Sequence, residues 1–81
     1  MSSNKCDAQL ALIRLAIRAV GDPRARHELE QARFGLYEAI EAEDATIARA
    51  WLRTLRLGVR AVPSWADAEV AAALEEIEAV L

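Results

Sequence analysis

Residues 45–62 read ATIARAWLRTLRLGVRAV, and this stretch decides the fold class. Its arginines recur at spacings of four, three and four residues, so on a helix they form one line: Arg49, Arg53, Arg56 and Arg60. Nearly every other residue in the stretch is apolar or small. Because a helix with so narrow a charged strip cannot leave its other faces in water, the stretch predicts a helix deep in a bundle or at a subunit contact.

The composition of the whole chain agrees with a small helical domain. It has 81 residues, of which 54% are hydrophobic, 28% charged and 5% aromatic, a profile that excludes a disordered protein. A domain this short has little room for a core, so association with a partner would stabilise it. The net charge of −3 gives no general attraction to nucleic acid or to an anionic membrane.

Helix start and stop signals predict an all-α, antiparallel bundle of four helices in one domain, 1–81. Asn4 is the predicted N-cap of the first helix and Gly21 ends it, while Asp22 and Pro23 open the second. Ser64 with Asp67 resembles a capping box at the start of the fourth helix. The predicted helices span about 5–20, 23–43, 45–62 and 65–81.

The boundary between the second and third helices has two interpretations. Residues 41–46 contain neither Gly nor Pro, so one continuous helix over about 23–62 is possible from the sequence. The preferred interpretation is a break with Asp44 as N-cap. Within the second helix, Gly35 is costly unless a neighbour packs closely against it, which predicts a helix crossing there.

The predicted third helix has two apolar faces, one on each side of the arginine line. Leu52, Leu55, Val59 and Val62 form the face assigned to the core, and Ile47, Ala50, Leu57 and Ala61 form the other. Since a helix in a small bundle needs only one apolar face, the second predicts contact with a protein partner, with a homodimer favoured. The predicted contact residues are Ile47, Arg49, Trp51, Arg53, Arg56, Leu57 and Arg60. Trp51 and Trp65 are assigned first to the core.

Residues that could carry chemistry are few. Cys6 is the single cysteine and His27 the single histidine, and the hydroxyl residues have no base linked to them by spacing. The sequence has no phosphate-binding glycine loop and no metal-binding pattern. We therefore expect no enzyme, cofactor or metal, and predict a non-catalytic interaction module acting as an adaptor, regulator or inhibitor.

Two other functions stay open. The four arginines could contact the phosphates of DNA or RNA, although the acidic chain has no basic arm and no base-reading residues beside them. The run His27-Glu28-Leu29 resembles the phosphoacceptor segment of sensor kinases, which implies phosphotransfer through His27. The ordinary alternative for His27 is an exposed surface residue.

The N-terminal sequence and the single cysteine indicate a location. Residues 1–6 lack the apolar core of a signal peptide, and the apolar run 8–20 is interrupted by Arg14 and Arg18 and too short to span a bilayer. One cysteine cannot form a disulfide within the chain. We therefore expect a cytoplasmic protein that does not enter the membrane.

Overall fold

The computed structural model describes residues 5–81, and this part of the chain contains four α-helices. They are α1 (Asp7–Arg18), α2 (Pro23–Glu41), α3 (Ala45–Gly58) and α4 (Ser64–Ala79), and a 3₁₀ turn, Val59–Ala61, continues α3. Each helix packs against the next one in the chain, and α1 also packs against α4. The predicted helical bundle is confirmed, and each predicted helix lies within a few residues of an observed one.

The first and last helices run antiparallel and close the bundle. Near the start of α1, the Gln9 amide donates a hydrogen bond of 2.9 Å to the carboxylate of Glu76, near the end of α4. The Lys5 ammonium donates to the carbonyl oxygen of Val80 at 3.3 Å. Because one end of α1 meets the opposite end of α4, the two helices lie side by side in opposite directions.

The core takes residues from all four helices. In α4, Val70, Leu74 and Ile77 lie four and three residues apart, the spacing of a packing stripe, and are buried, while Leu81 packs partly against the core. The largest side chains that are fully enclosed are Ile13, Ile17, Leu36, Leu52, Leu74, Ile77 and Cys6. Burying a side chain of this size contributes about 1.5–3 kcal/mol, so these residues dominate the stability of the bundle.

Of the caps predicted for the first, second and fourth helices, one is confirmed, one lies outside the described residues and one is wrong. The carboxylate of Asp22 accepts a hydrogen bond of 3.2 Å from the backbone N–H of Arg24, which confirms Asp22 as an N-cap. Asn4 lies outside the described residues, and Cys6 is the residue that precedes α1. The predicted capping box at Ser64 is wrong, since Ser64 is the first helical residue and follows Pro63, which has no side-chain donor or acceptor.

A tight backbone turn separates α2 from α3, so the continuous-helix alternative is wrong. Glu43 has a φ of 56°, the left-handed conformation that commonly ends a helix. The N–H of Asp44 donates to the carbonyl of Ala39 at 2.9 Å, and the N–H of Glu43 donates to that of Ile40 at 3.0 Å. These two bonds form a Schellman motif. Asp44 then caps α3 by accepting from the N–H of Ile47 at 3.1 Å, as predicted.

Two glycines bring α2 and α3 close together. A Cβ added at Gly35 would lie 2.7 Å from the Cζ2 and Nε1 atoms of Trp51, so the indole ring occupies the space above this glycine. At the other end of the pair, a Cβ at Gly58 would collide with the Leu29 side chain. The crossing predicted at Gly35 is therefore present, with a tryptophan side chain as the neighbour.

The two tryptophans have different surroundings. Trp51 is half-buried and packs against the core, in agreement with its assignment. Trp65 is 68% exposed, so its core assignment is wrong. It lies in the first turn of α4, where the neighbouring Ala66 fills the buried position instead.

Candidate interaction surface

Helix α3 presents three distinct faces. Ala48, Leu52 and Leu55 are buried in the core. The second face is the arginine line, and all four of its members are exposed. The third face, which we call the outer stripe, is also exposed and consists of Ile47, Ala50, Thr54, Leu57 and Ala61.

The outer stripe has the spacing of a helix-packing seam. Its residues are separated by three, four, three and four positions, the repeat that aligns side chains along one side of a helix. Ile47 is 50% exposed and Leu57 is 78% exposed. The Thr54 hydroxyl donates a hydrogen bond of 3.2 Å to the carbonyl of Ala50, so its donor is already used within the helix. Apart from this internally bonded hydroxyl the stripe is therefore apolar, and residues 5–81 leave it uncovered.

An open groove borders the outer stripe on the side of α2. Its volume is about 300 Å³, and it is lined by Ala25, Glu28, Leu29, Thr54, Leu57, Gly58 and Ala61. Glu28 is exposed and lies 3.6 Å from the guanidinium of Arg24, an ion pair in water that contributes about 0–1 kcal/mol. The acidic residue at this rim was not among the predicted contact residues, because its position depends on how α2 packs against α3.

The arginine line borders the outer stripe on the opposite side. Arg56 forms an ion pair with Glu78 of α4, and both side chains are 46% exposed. Arg49 and Arg53 line the same small cavity as this pair. One arginine of the line thus pairs with a carboxylate of its own chain.

The predicted contact residues fall into three groups. Ile47 and Leu57 belong to the outer stripe, and the four arginines run alongside it. Trp51 is separate from them, because its indole ring is turned toward Gly35 of α2. Six of the seven residues therefore share one surface, and Trp51 instead positions the two helices that build it.

A second exposed apolar patch lies on α1 and α2. Leu15 is 65% exposed, and Phe34 is 53% exposed. The rings of Phe34 and Tyr37 stack with their centroids 6.4 Å apart. Leu15 and Tyr37 line one groove of about 380 Å³ together with Arg14, Arg18 and Arg33.

The two residues with the most reactive side chains differ in exposure: the single histidine is exposed and the single cysteine is buried. His27 is exposed in α2, as expected for a surface histidine. Cys6 is 1% exposed, and burial raises the pKa of its thiol above the usual value. Within residues 5–81 no group of three or more His, Cys, Asp or Glu side chains could hold a metal ion.

Comparison with known proteins adds no relative. No family model, curated protein or solved structure matches this chain. In the described part of the chain, none of the helices has both the length and the apolar content needed to cross a membrane. The function is therefore inferred from the surface itself.

Proposed function

We propose that this protein is a non-catalytic protein–protein interaction module that forms a homodimer through the outer stripe of α3. The observation that carries the proposal is the exposure of Leu57, 78%, in line with Ile47, 50%, on a helix whose opposite face is already buried. Exposed apolar side chains aligned in this way are typical of surfaces that a partner covers. Such a module fits an adaptor, regulator or inhibitor.

The size of the domain supports association. A chain of 81 residues buries a smaller fraction of its surface than a larger domain does, so covering one more helix face is a substantial gain. The small side chains of Ala50 and Ala61 would allow a second helix to approach closely. Binding that is specific to the folded state also stabilises that state by mass action.

Light scattering coupled to gel filtration tests the homodimer. We expect the wild-type protein to show twice the monomer mass, and Leu57→Glu to shift it to the monomer because a carboxylate would be buried in an apolar contact. Leu15→Glu is the matched control: Leu15 is 65% exposed on a different surface, so this variant should remain dimeric. Circular dichroism of both variants should show unchanged helix content, since neither side chain is in the core.

Two results would contradict the proposal. Wild-type protein that stays monomeric at high micromolar concentration would rule out the homodimer. Equal dissociation by Leu57→Glu and Leu15→Glu would show that a general loss of apolar surface, and not the outer stripe, drives association.

A further inference from the structure

The order of surfaces around α3 limits how two copies can pair. With about 100° per residue, Trp51 and Gly58 fall on one side of the outer stripe and the arginine line falls on the other. Both lie against α2, Trp51 at Gly35 and Gly58 at Leu29. An apolar strip therefore runs between a basic border on α3 and a border formed by α2.

The packing of α2 against α3 determines the height of each residue of the α2 border, that is, its position along the axis of α3. Trp51 is level with Gly35, and Gly58 is level with Leu29. The two helices therefore run in opposite directions, and seven residues of α3 correspond to six residues of α2. Glu28 precedes Leu29 and is therefore level with the turn that carries Arg60; it also lines the groove beside Leu57 and Ala61.

A second carboxylate follows the same register. Glu38 lies three residues beyond Gly35 and Arg49 lies two residues before Trp51, so Glu38 and Arg49 are within about one helical turn of the same height. Glu38 is exposed, as is Arg49. Glu28 lines the groove beside the outer stripe, so the Arg60 end of the stripe has an arginine on one border and a glutamate at the same height on the other.

Two symmetric arrangements can bring one outer stripe against another. A twofold axis perpendicular to α3 makes the two α3 helices antiparallel and sets the arginine line of one copy against that of the other. A twofold axis along α3 makes the helices parallel and sets each arginine line over the α2 border of the other copy. Like charges placed opposite each other disfavour the first arrangement, and opposite charges favour the second.

Resting on the proposed function, we infer that the homodimer has its twofold axis along α3, with parallel helices in register. Arg60 then pairs with the partner subunit's Glu28, and the symmetry repeats this pair on the other side of the axis. Identical residues of the outer stripe meet across the axis, including Ala61 with its own copy. The exposed and weak pair between Arg24 and Glu28 leaves Glu28 available for this contact.

Disulfide cross-linking in single-cysteine proteins distinguishes the two arrangements. With Cys6 replaced by alanine, Thr54→Cys should cross-link under mild oxidation in either arrangement, since Thr54 lies at the middle of the outer stripe. Ala61→Cys should cross-link to itself only when the helices are parallel, because a disulfide needs Cα atoms within about 7 Å. In the antiparallel arrangement Ala61 faces position 47, so cross-links form only in a mixture of Ala61→Cys and Ile47→Cys proteins.

Charge reversal gives an independent measurement. We expect Arg60→Glu or Glu28→Arg alone to raise the dimer dissociation constant about tenfold, because each change places like charges together twice per dimer. The double variant, Glu28→Arg with Arg60→Glu, should recover most of the lost affinity. Arg18→Glu, on the exposed side of α1, is the control and should leave the dissociation constant unchanged.

The results separate this inference from the proposed function. A monomeric wild type defeats both. A dimer in which Thr54→Cys cross-links and Ala61→Cys does not, or in which the double charge variant is as weak as the single ones, overturns the parallel arrangement and leaves the homodimer standing. A dimer that resists cross-linking at Thr54 places the interface elsewhere and overturns the role of the outer stripe itself.

Discussion

Glu43 carries the backbone strain of the turn between α2 and α3. Its φ of 56° costs a residue with a Cβ about 1–2 kcal/mol, whereas glycine adopts this conformation freely. We expect Glu43→Gly to raise the free energy of unfolding by about 0.5–1 kcal/mol, after the greater flexibility of glycine in the unfolded chain is subtracted. Urea denaturation measures this change.

Alanine at the same position is the control for Glu43. Glu43→Ala removes the carboxylate but keeps the Cβ and its strain, so its stability should stay close to that of the wild type. If alanine stabilises the protein as much as glycine does, charge and not backbone conformation is the cause.

The pKa of Tyr37 depends on the negative charge at the end of α2. The negative charge of Glu41 raises the pKa of the Tyr37 phenol above its ordinary value of 10.0, with smaller contributions from desolvation and Asp7. Because the raised pKa belongs to the folded state, the protonated phenol contributes stability below pH 10, and this contribution is lost as the pH rises through the folded-state pKa.

Removing the charge of Glu41 tests that cause. Glu41→Gln should lower the pKa of Tyr37, measured by phenolate absorbance, which is specific because the chain has one tyrosine. Glu38→Gln, adjacent in sequence to Tyr37, should have little effect. Equal effects of the two variants would contradict a specific interaction with Glu41.

At the scale of elements, the contact between α2 and α3 depends on two glycines, Gly35 and Gly58, because a side chain at either position would collide with the other helix. Gly35→Ala would gain helix propensity of about 1 kcal/mol but force the Trp51 ring out of place, an overpacking that costs about 1–3 kcal/mol or more. We expect a net loss of stability of about 1–2 kcal/mol, seen as a melting temperature lower by roughly 4–16 °C.

The other glycines supply a graded comparison. Gly58→Ala should cost less than Gly35→Ala, because the obstructing atom is the end of the flexible Leu29 side chain. Gly21→Ala should be nearly neutral, since nothing lies within 4 Å of its added Cβ. A Gly35→Ala protein as stable as Gly21→Ala would mean that Trp51 can move aside without loss.

At the scale of the whole molecule, the outer stripe and its two borders come from two different segments of the chain. The arginine line and the stripe follow from the periodicity of 45–62, but Glu28 joins them only because α2 folds back along α3. The dimer proposed above depends on this arrangement, since the contact between Gly58 and Leu29 brings Glu28 to the height of Arg60.

The four helices, the buried stripe of α4 and the caps at Asp22 and Asp44 could be predicted because they depend on residues close together in sequence. The turn at Glu43 gave no such signal, since a glutamate in the left-handed conformation looks like any helical residue. Trp65 and Leu15 were also beyond prediction: an apolar side chain is buried only if a neighbouring helix covers it, and their helices turn other residues inward.

The sequence by itself therefore determined the all-α class, the approximate limits of the helices apart from the break between α2 and α3, and the presence of two apolar faces on α3, because periodicity and capping are local properties. Only the tertiary structure decided that α2 and α3 are separate helices, that Trp51 packs over Gly35 and that Glu28 stands beside the outer stripe. These features depend on the packing of helices distant in sequence, whose register is set by contacts such as those of Gly35 and Gly58.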